Sequence, residues 1–547
     1  MLKKTSKDEL AEALLFPPVI VTMICIIKAL TAGYIYPRQD LIIYTTFLYA
    51  RINPERFARD VFAGLKDTHF DFFWYLAPYL PDIWLDGDIM KNVTVVVWIF
   101  LFCSMYVLTS LFTKSMLLRL VPVLFLGWSK VTAGRMALLE YSFSHRQICY
   151  GCCFLGLWLL FNERRTAAIA LMSLAALFYP PLLYYFFIPL GIFLLYEFGW
   201  KETLKYAALS AAICSPLILF YVKSGVAASL VGSSASLEWK KYLLINFDSL
   251  FSFFPITQDK LFFIASWIGC TLLVGLLWLL RGRLTELQLK YTRLLTAFLL
   301  YSVVGMILCY AGVGFAVRLQ LLRAAVIAAM LTIVSFGFLL EIFWPERRRL
   351  EKFCAVGSFL SYHFMVIFAA FLNYIYPSKS ALRYVIAILI FLAVDQTNAV
   401  FSSLPIRTQF SPWKDVAEYA LHETEANSLI MVPPVSNLAY CNTDDQISFR
   451  LLAKRSTTLK VSDGVEIGYD IGFAAAYIDY FEDLRRFFKF EFNFSSDCAF
   501  RERIKSAWNR GGLKQQLAFS RKYGANYLLI SNHLLPKQRS PQLVFEG

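Results

Sequence analysis

The run R-L-Q-L-L-R, Arg318 to Arg323, opens directly onto A-A-V-I-A-A-M-L-T-I-V-S-F-G-F-L-L, Ala324 to Leu340, a stretch without a single charge. A helix that crosses a bilayer needs about 20 mostly apolar residues, so this stretch reads as a span entered past two arginines. Working outward, comparable runs start near residues 14, 92, 115, 147, 166, 181, 203, 261, 292, 353 and 381. The pattern predicts an α-helical polytopic membrane protein of about 11 to 13 spans.

Composition agrees. Of 547 residues, 58% are hydrophobic and only 17% charged, with a mean hydropathy of +0.55, which excludes a single soluble domain and a disordered chain. The balance of 53 basic against 39 acidic residues points to topology rather than to nucleic acid, because the cations gather in short loops. Lys3, Lys4 and Lys7 precede a retained first helix with a cytoplasmic N-terminus. Lys114, Arg164, Arg165, Lys201, Lys205, Arg281, Arg283, Lys290, Arg293 and Arg347 to Arg349 then fall inside. The outer side receives loops 37–91 and 223–260 and the connection from Gly312 to Arg318.

Residues 1–403 are thus a membrane domain. After Pro405 the sequence turns polar, and residues 404–547 read as a small soluble α/β domain. Trp413 to His422 has helical spacing, Ser428 to Val432 reads as a strand, Ile447 to Val461 alternates partly like strands, and Ile471 to Phe490 and Leu513 to Tyr523 read as helices before a strand at Tyr527 to Ser531. Twelve spans would leave this tail in the cytoplasm. Nine of the 11 cysteines lie in or beside apolar runs, so Cys149, Cys152 and Cys153 read as packing rather than as a metal site. No phosphate-cradling G-x-x-x-x-G-K-[ST] or G-x-G-x-x-G occurs, which disfavours ATP-driven transport. The short runs at 147–161 and 166–178, followed by Pro180-Pro181, mark broken helices of the kind that line cavities.

The first loop carries the candidate chemistry. Between Pro37 and Leu80 it is neither linker nor span, and its aromatic residues place it along the membrane interface. Asp40 follows the first span by a few residues, where a carboxylate meets both water and lipid headgroups. Such an acid suits proton abstraction from an acceptor hydroxyl; it reads equally as a cap on the following helix. Asp60, between Arg59 and Val61, is a second acid that could orient the acceptor or hold a divalent ion, or a plain ion-paired acid beside Arg56 and Arg59. His69, in T-H-F-D, lacks ligand-quality spacing for a metal. Arg318 and Arg323 have the guanidinium forks that hold phosphate oxygens, or else snorkel to headgroups. His145 and Arg146, on another outer loop, can join the same pocket.

The run from Tyr36 through Asp60 and His69, with N-P-E-R-F-A-R-D-V-F at Asn53 to Phe62, resembles an uncharacterised family of bacterial polytopic membrane proteins. E-R-R-T-A-A at Glu163 to Ala168, F-Y-P-P at Phe178 to Pro181, R-L-Q-L-L-R, S-F-R at Ser448 to Arg450 and K-Y-G-A-N-Y at Lys522 to Tyr527 carry the same likeness. That architecture is similar to the GT-C superfamily of integral-membrane glycosyltransferases. The resemblance implies sugar transfer from a polyprenyl-phosphate or polyprenyl-diphosphate donor at the extracytoplasmic face of a bacterial inner membrane. It matches Asp40 to the catalytic acid and Asp60 to a second acid, with Mg or Mn as the divalent ion such acids hold. The adjacent acidic pair usual in that superfamily is absent, since Gln39 and Leu41 flank Asp40. Two other readings fit the same residues: a transporter or flippase of a lipid-linked substrate, and a non-enzymatic scaffold in cell-envelope polysaccharide assembly.

Overall fold

The computed structural model describes residues 20–25, 35–36, 40–67, 72–79, 87–128, 132–133, 136–137, 143–223, 242, 258–311, 313–343, 409–410, 414–435, 445–467, 470–494, 497–530 and 542–545. The candidate spans near 353 and 381, and His69, lie outside these residues. Most of the described chain is helical, and four helices, Asp88–Ser110, Leu182–Ile213, Glu286–Tyr310 and Leu321–Phe343, are long and apolar enough to cross a membrane.

The bundle comprises α1 (Asp40–Ile52), α2 (Gly87–Ser110), α3 (Met116–Trp128), α4 (His145–Phe161), α5 (Arg165–Phe178), α6 (Phe187–Ile213), α7 (Gln258–Leu279), α8 (Glu286–Tyr310) and α9 (Ala324–Phe343). Helix α9 is apolar on every side, and a helix of that kind belongs in the middle of a bundle. It does sit there: 89% of its most apolar window is buried. Phe336 stacks on Phe125 of α3 at 5.1 Å, and the Tyr291 hydroxyl of α8 donates to the Leu331 carbonyl at 2.7 Å. The hydroxyls of Thr332 and Ser335 donate back to the carbonyls of Ala328 and Thr332, so the polar groups of this helix are satisfied without water.

Helix α6 is two helices. Gly199 adopts φ +76° and ψ 173°, a conformation glycine reaches at no steric cost. Residues at matched distances before and after it, Leu194 with Thr203, Leu190 with Ala207, and Phe187 with Ser210, line one cavity. The two arms therefore run antiparallel, and correspond to the separate apolar runs near 181 and 203.

The tail forms a four-stranded sheet of β3 (Leu429–Met431), β4 (Ser456–Thr457), β5 (Tyr527–Ile530) and β6 (Gln542–Phe545), in the order β4-β3-β5-β6. The first three strands are parallel and β6 is antiparallel to β5. Around the sheet pack α10 (Lys414–Glu423), α11 (Asp445–Ala453), α12 (Ile471–Phe488) and α13 (Asp497–Lys522). The strand-like reading of Ile447 to Val461 is corrected. Its first part, Ile447 to Ala453, belongs to α11, whose Phe449 and Ala453 fill the core beside Ile430 and Leu529, and only Ser456–Thr457 is strand.

Contacts sort to two ends of the bundle. At one end, the backbone N–H groups of Lys114 and Ser115 donate to Glu341, Gln288 donates to the Phe112 carbonyl at 2.9 Å, Arg293 pairs with Glu197 at 2.6 Å and Arg165 lies 4.1 Å over the Phe198 ring. These are short turns that charge placed inside. At the other end stands the tail. It meets the first loop through a parallel pairing of Ile35–Tyr36 (β1) with Gln409–Phe410 (β2). It meets the second loop through Tyr242, whose hydroxyl donates to Glu482 at 3.0 Å. It shares one hydrophobic cluster with Ala316, Val317, Leu321 and Leu322. The tail is thus docked on all three segments that charge placed outside. The first loop and the tail therefore lie at the same end of the described bundle.

Candidate functional site

Asn53-Pro54 ends α1, because proline cannot donate to the preceding turn, and the chain then reverses through two short 3-10 turns, Pro54–Phe57 and Ala63–Asp67. This return lays Arg56 to Ala63 against the edge strand β4. The Arg59 N–H donates to the Ser456 hydroxyl, which donates in turn to the Arg56 carbonyl at 3.1 Å. The Arg59 guanidinium reaches Asn526 Oδ1 at 2.7 Å and the Gly524 carbonyl. An open sheet edge is a template for unwanted pairing, and the loop covers it.

Asp60 sits at the centre of this contact with no exposed side-chain surface. Its Oδ2 accepts from Arg450 Nε at 2.7 Å and from the Thr457 N–H at 2.8 Å, and its Oδ1 accepts from the Ala63 N–H at 2.9 Å. Arg450, itself fully buried, gives its other two nitrogens to Asp463 at 3.1 and 2.9 Å. Burial alone would push the guanidinium's pKa down; Asp463 and then Asp60 reverse that and push it up. Lys460 lies in the same cluster, and burial first, then Arg450, brings it down to about 7 against the opposing pull of the two aspartates. Asp60 as a second catalytic acid is therefore corrected: its oxygens are committed to N–H donors in a dry interface, which makes it a structural acid. Its partner is Arg450, 390 residues away, and not Arg56 or Arg59.

Asp40 is the first residue of α1; its side chain lies outside the described part, as does that of Arg318. One turn further on, Tyr44 meets His145 edge to face at 5.2 Å. His145 also stacks on Phe73 at 5.3 Å and meets Tyr179 at 5.8 Å. It opens α4 together with Arg146 and Gln147, and all three are buried. His145 thus stands in an aromatic cage beside the Arg146 guanidinium at a helix N-terminus, whose dipole adds its own positive end.

Arg318 and Arg323 do not share a helix. Gln320 between them is left-handed at φ +52° and 4% exposed, which separates a short turn, Gly314–Arg318, from the 3-10 turn Leu321–Arg323. The Tyr185 hydroxyl donates to the Leu319 carbonyl at 2.8 Å and braces this break. Ile43 and Phe47 of α1 belong to the cluster that holds Leu319, Leu321 and Leu322. Helix α1 thus meets His145 through Tyr44 and shares a hydrophobic cluster with the residues of the arginine break through Phe47.

Among the described residues no group of three His, Cys, Asp or Glu side chains is placed to hold a metal, and Cys149, Cys152 and Cys153 are free thiols within α4. Sequence reasoning missed Arg450, Tyr242 and Gln320. Arg450 left one signal, its place in S-F-R, but nothing there pointed to Asp60 as its partner. A scan against protein-family models finds no match, and a search of curated proteins finds no relative.

Proposed function

We propose that the chain is a GT-C-like membrane glycosyltransferase that moves a sugar from a polyprenyl-phosphate-linked donor to an acceptor at the outer face of a bacterial inner membrane. The observation that carries this reading is the contact of Tyr44 with His145. It brings the helix that begins at Asp40 to the buried His145, while Phe47 of the same helix shares a hydrophobic cluster with Leu321 and Leu322 of the Arg318–Arg323 break. In the reaction, the acceptor hydroxyl oxygen bonds to the anomeric carbon as the bond from that carbon to the phosphate oxygen breaks. The phosphate leaves with the electron pair. Asp40 takes the hydroxyl proton, and Arg318, Arg323, Arg146 and His145 balance the charge on the leaving phosphate. Direct displacement inverts the anomeric centre.

Docking of the tail on loops 37–91 and 223–260 supports an outer tail and an odd number of crossings, 11 or 13 within the range read from the sequence. An acceptor then arrives from the tail side. The apolar cavity between the two arms about Gly199, of about 260 Å³, favours a second reading, a transporter or flippase of a lipid-linked substrate. One measurement separates them. Membranes bearing Asp40→Asn, supplied with polyprenyl-phosphate sugar donors, should lose transfer by about 100-fold or more, the scale of a lost general base. Transfer at the native rate would refute the catalytic reading, and lipid translocation unaffected by the substitution would establish the second.

A further inference from the structure

The tail and the first loop are joined by more than surface contact, and the joint leads to α1. Arg450 is the hub. Its two terminal nitrogens hold Asp463 inside the tail, its Nε holds Asp60 in the loop, and its guanidinium plane lies 4.6 Å over the ring of Phe62. Phe62, with no exposed surface, stacks on Phe47 of α1 at 5.2 Å and 25°. On its other side it meets Phe473 of α12 at 6.2 Å. A planar fork is needed for this, because only a guanidinium can grip two carboxylates and cover a ring together.

We infer that Arg450 is a positioning residue: from the tail, through Asp60 and the Phe62–Phe47 stack, it fixes the seating of α1 and hence of Asp40. The inference concerns the same site as the glycosyl-transfer reading, and rests on that reading only for the role given to Asp40. Helix α1 is anchored to the tail at this joint: Phe47 stacks on Phe62, and Tyr49 and Ala50 cluster with Leu451, the neighbour of Arg450. The helix is 13 residues long, too short to hold its shape alone in water, and its chain neighbours on the loop side are the residues clamped at Asp60. The wider frame, α5 and the first half of α8, packs in a separate hydrophobic cluster and should not feel its loss.

The test is hydrogen exchange on the full-length chain in lipid nanodiscs, with peptides covering residues 40–52, α5, the first half of α8 and α11. Arg450→Met should raise exchange in 40–52 by about tenfold or more, with α5 and the first half of α8 unchanged. Arg450→Lys keeps one charge and can pair with one aspartate, so it should restore protection in α11 but not in 40–52. Phe47→Ala, which cuts the relay and leaves the ion cluster whole, should release 40–52 alone. Native protection of 40–52 in Arg450→Met, full restoration by Arg450→Lys, or an equal rise across α5 and the first half of α8 would each overturn the inference. The exchange result stands apart from activity: an Asp40→Asn chain that transfers sugar normally defeats the catalytic reading and leaves the clamp in place.

Discussion

The two ends of the bundle are built on different principles. The turn end is closed by short, charge-rich connections where, apart from the half-buried Arg293–Glu197 pair, ion pairs face solvent, such as Lys290 with Glu286, the latter 82% exposed. The tail end is closed by a folded domain whose ion cluster has no exposed side-chain surface. Exposed pairs of this type contribute about 0 to 1 kcal/mol. A buried pair adds little net stability when whole, yet losing one partner strands a charge and costs about 3 to 5 kcal/mol. The turn end can therefore vary its residues as long as the charge stays, while the tail end is specified residue by residue.

The sharpest way to break the contrast is Asp60→Ala. It leaves the Arg450 Nε and the Thr457 and Ala63 N–H groups without their buried acceptor, and should cost about 3 to 5 kcal/mol, read as a fall in the thermal midpoint of the detergent-held chain. A cost below about 1 kcal/mol would make the two ends alike. Next in size is the pH dependence contributed by Lys460. Its folded pKa of about 7 lies below the ordinary 10.5, so between those values the unfolded chain holds a proton the folded chain has lost. Stability then rises with pH across that window, by at most about 1.4 kcal/mol per pH unit, and is lowest below pH 7. Lys460→Met should flatten this rise; an unchanged slope would remove Lys460 from the cluster's energetics. The smallest effect belongs to the turn end, where Lys290→Ala should shift stability by less than about 0.5 kcal/mol, within the scatter of repeated melts.

What could be read from the sequence follows the range of the forces involved. The runs from Gly87 to Ser110 and Ala324 to Phe343 were plain because hydropathy is a local sum, and each becomes a helix. Gly524 reads as a helix stop and takes φ +64° after α13. Ile447 to Val461 misled because a short helix packed on a sheet can imitate alternation. Gln320 gave no sign, since a left-handed non-glycine residue is imposed by its surroundings, here the Tyr185 brace on Leu319. Helix parity changes with a single miscounted run, whereas the Asp60–Arg450 contact shows directly that the first loop and the tail lie together. Of the site, the basic pair at His145 and Arg146 was legible as residue types, but its aromatic cage draws on Tyr44, Phe73 and Tyr179 from three separate stretches.

The long sequence separation of the Asp60–Arg450 bond has a consequence for biosynthesis. With 390 residues between the partners and translation at about 5 to 20 residues per second, the loop acid waits about 20 to 80 s after its own synthesis for its arginine. During that interval most of the bundle can insert, while Phe62 and the β4-facing backbone of the loop stand uncovered. A ribosome stalled before residue 450 would leave a chain with a hydrophobic loop on show, a natural substrate for chaperones and proteases.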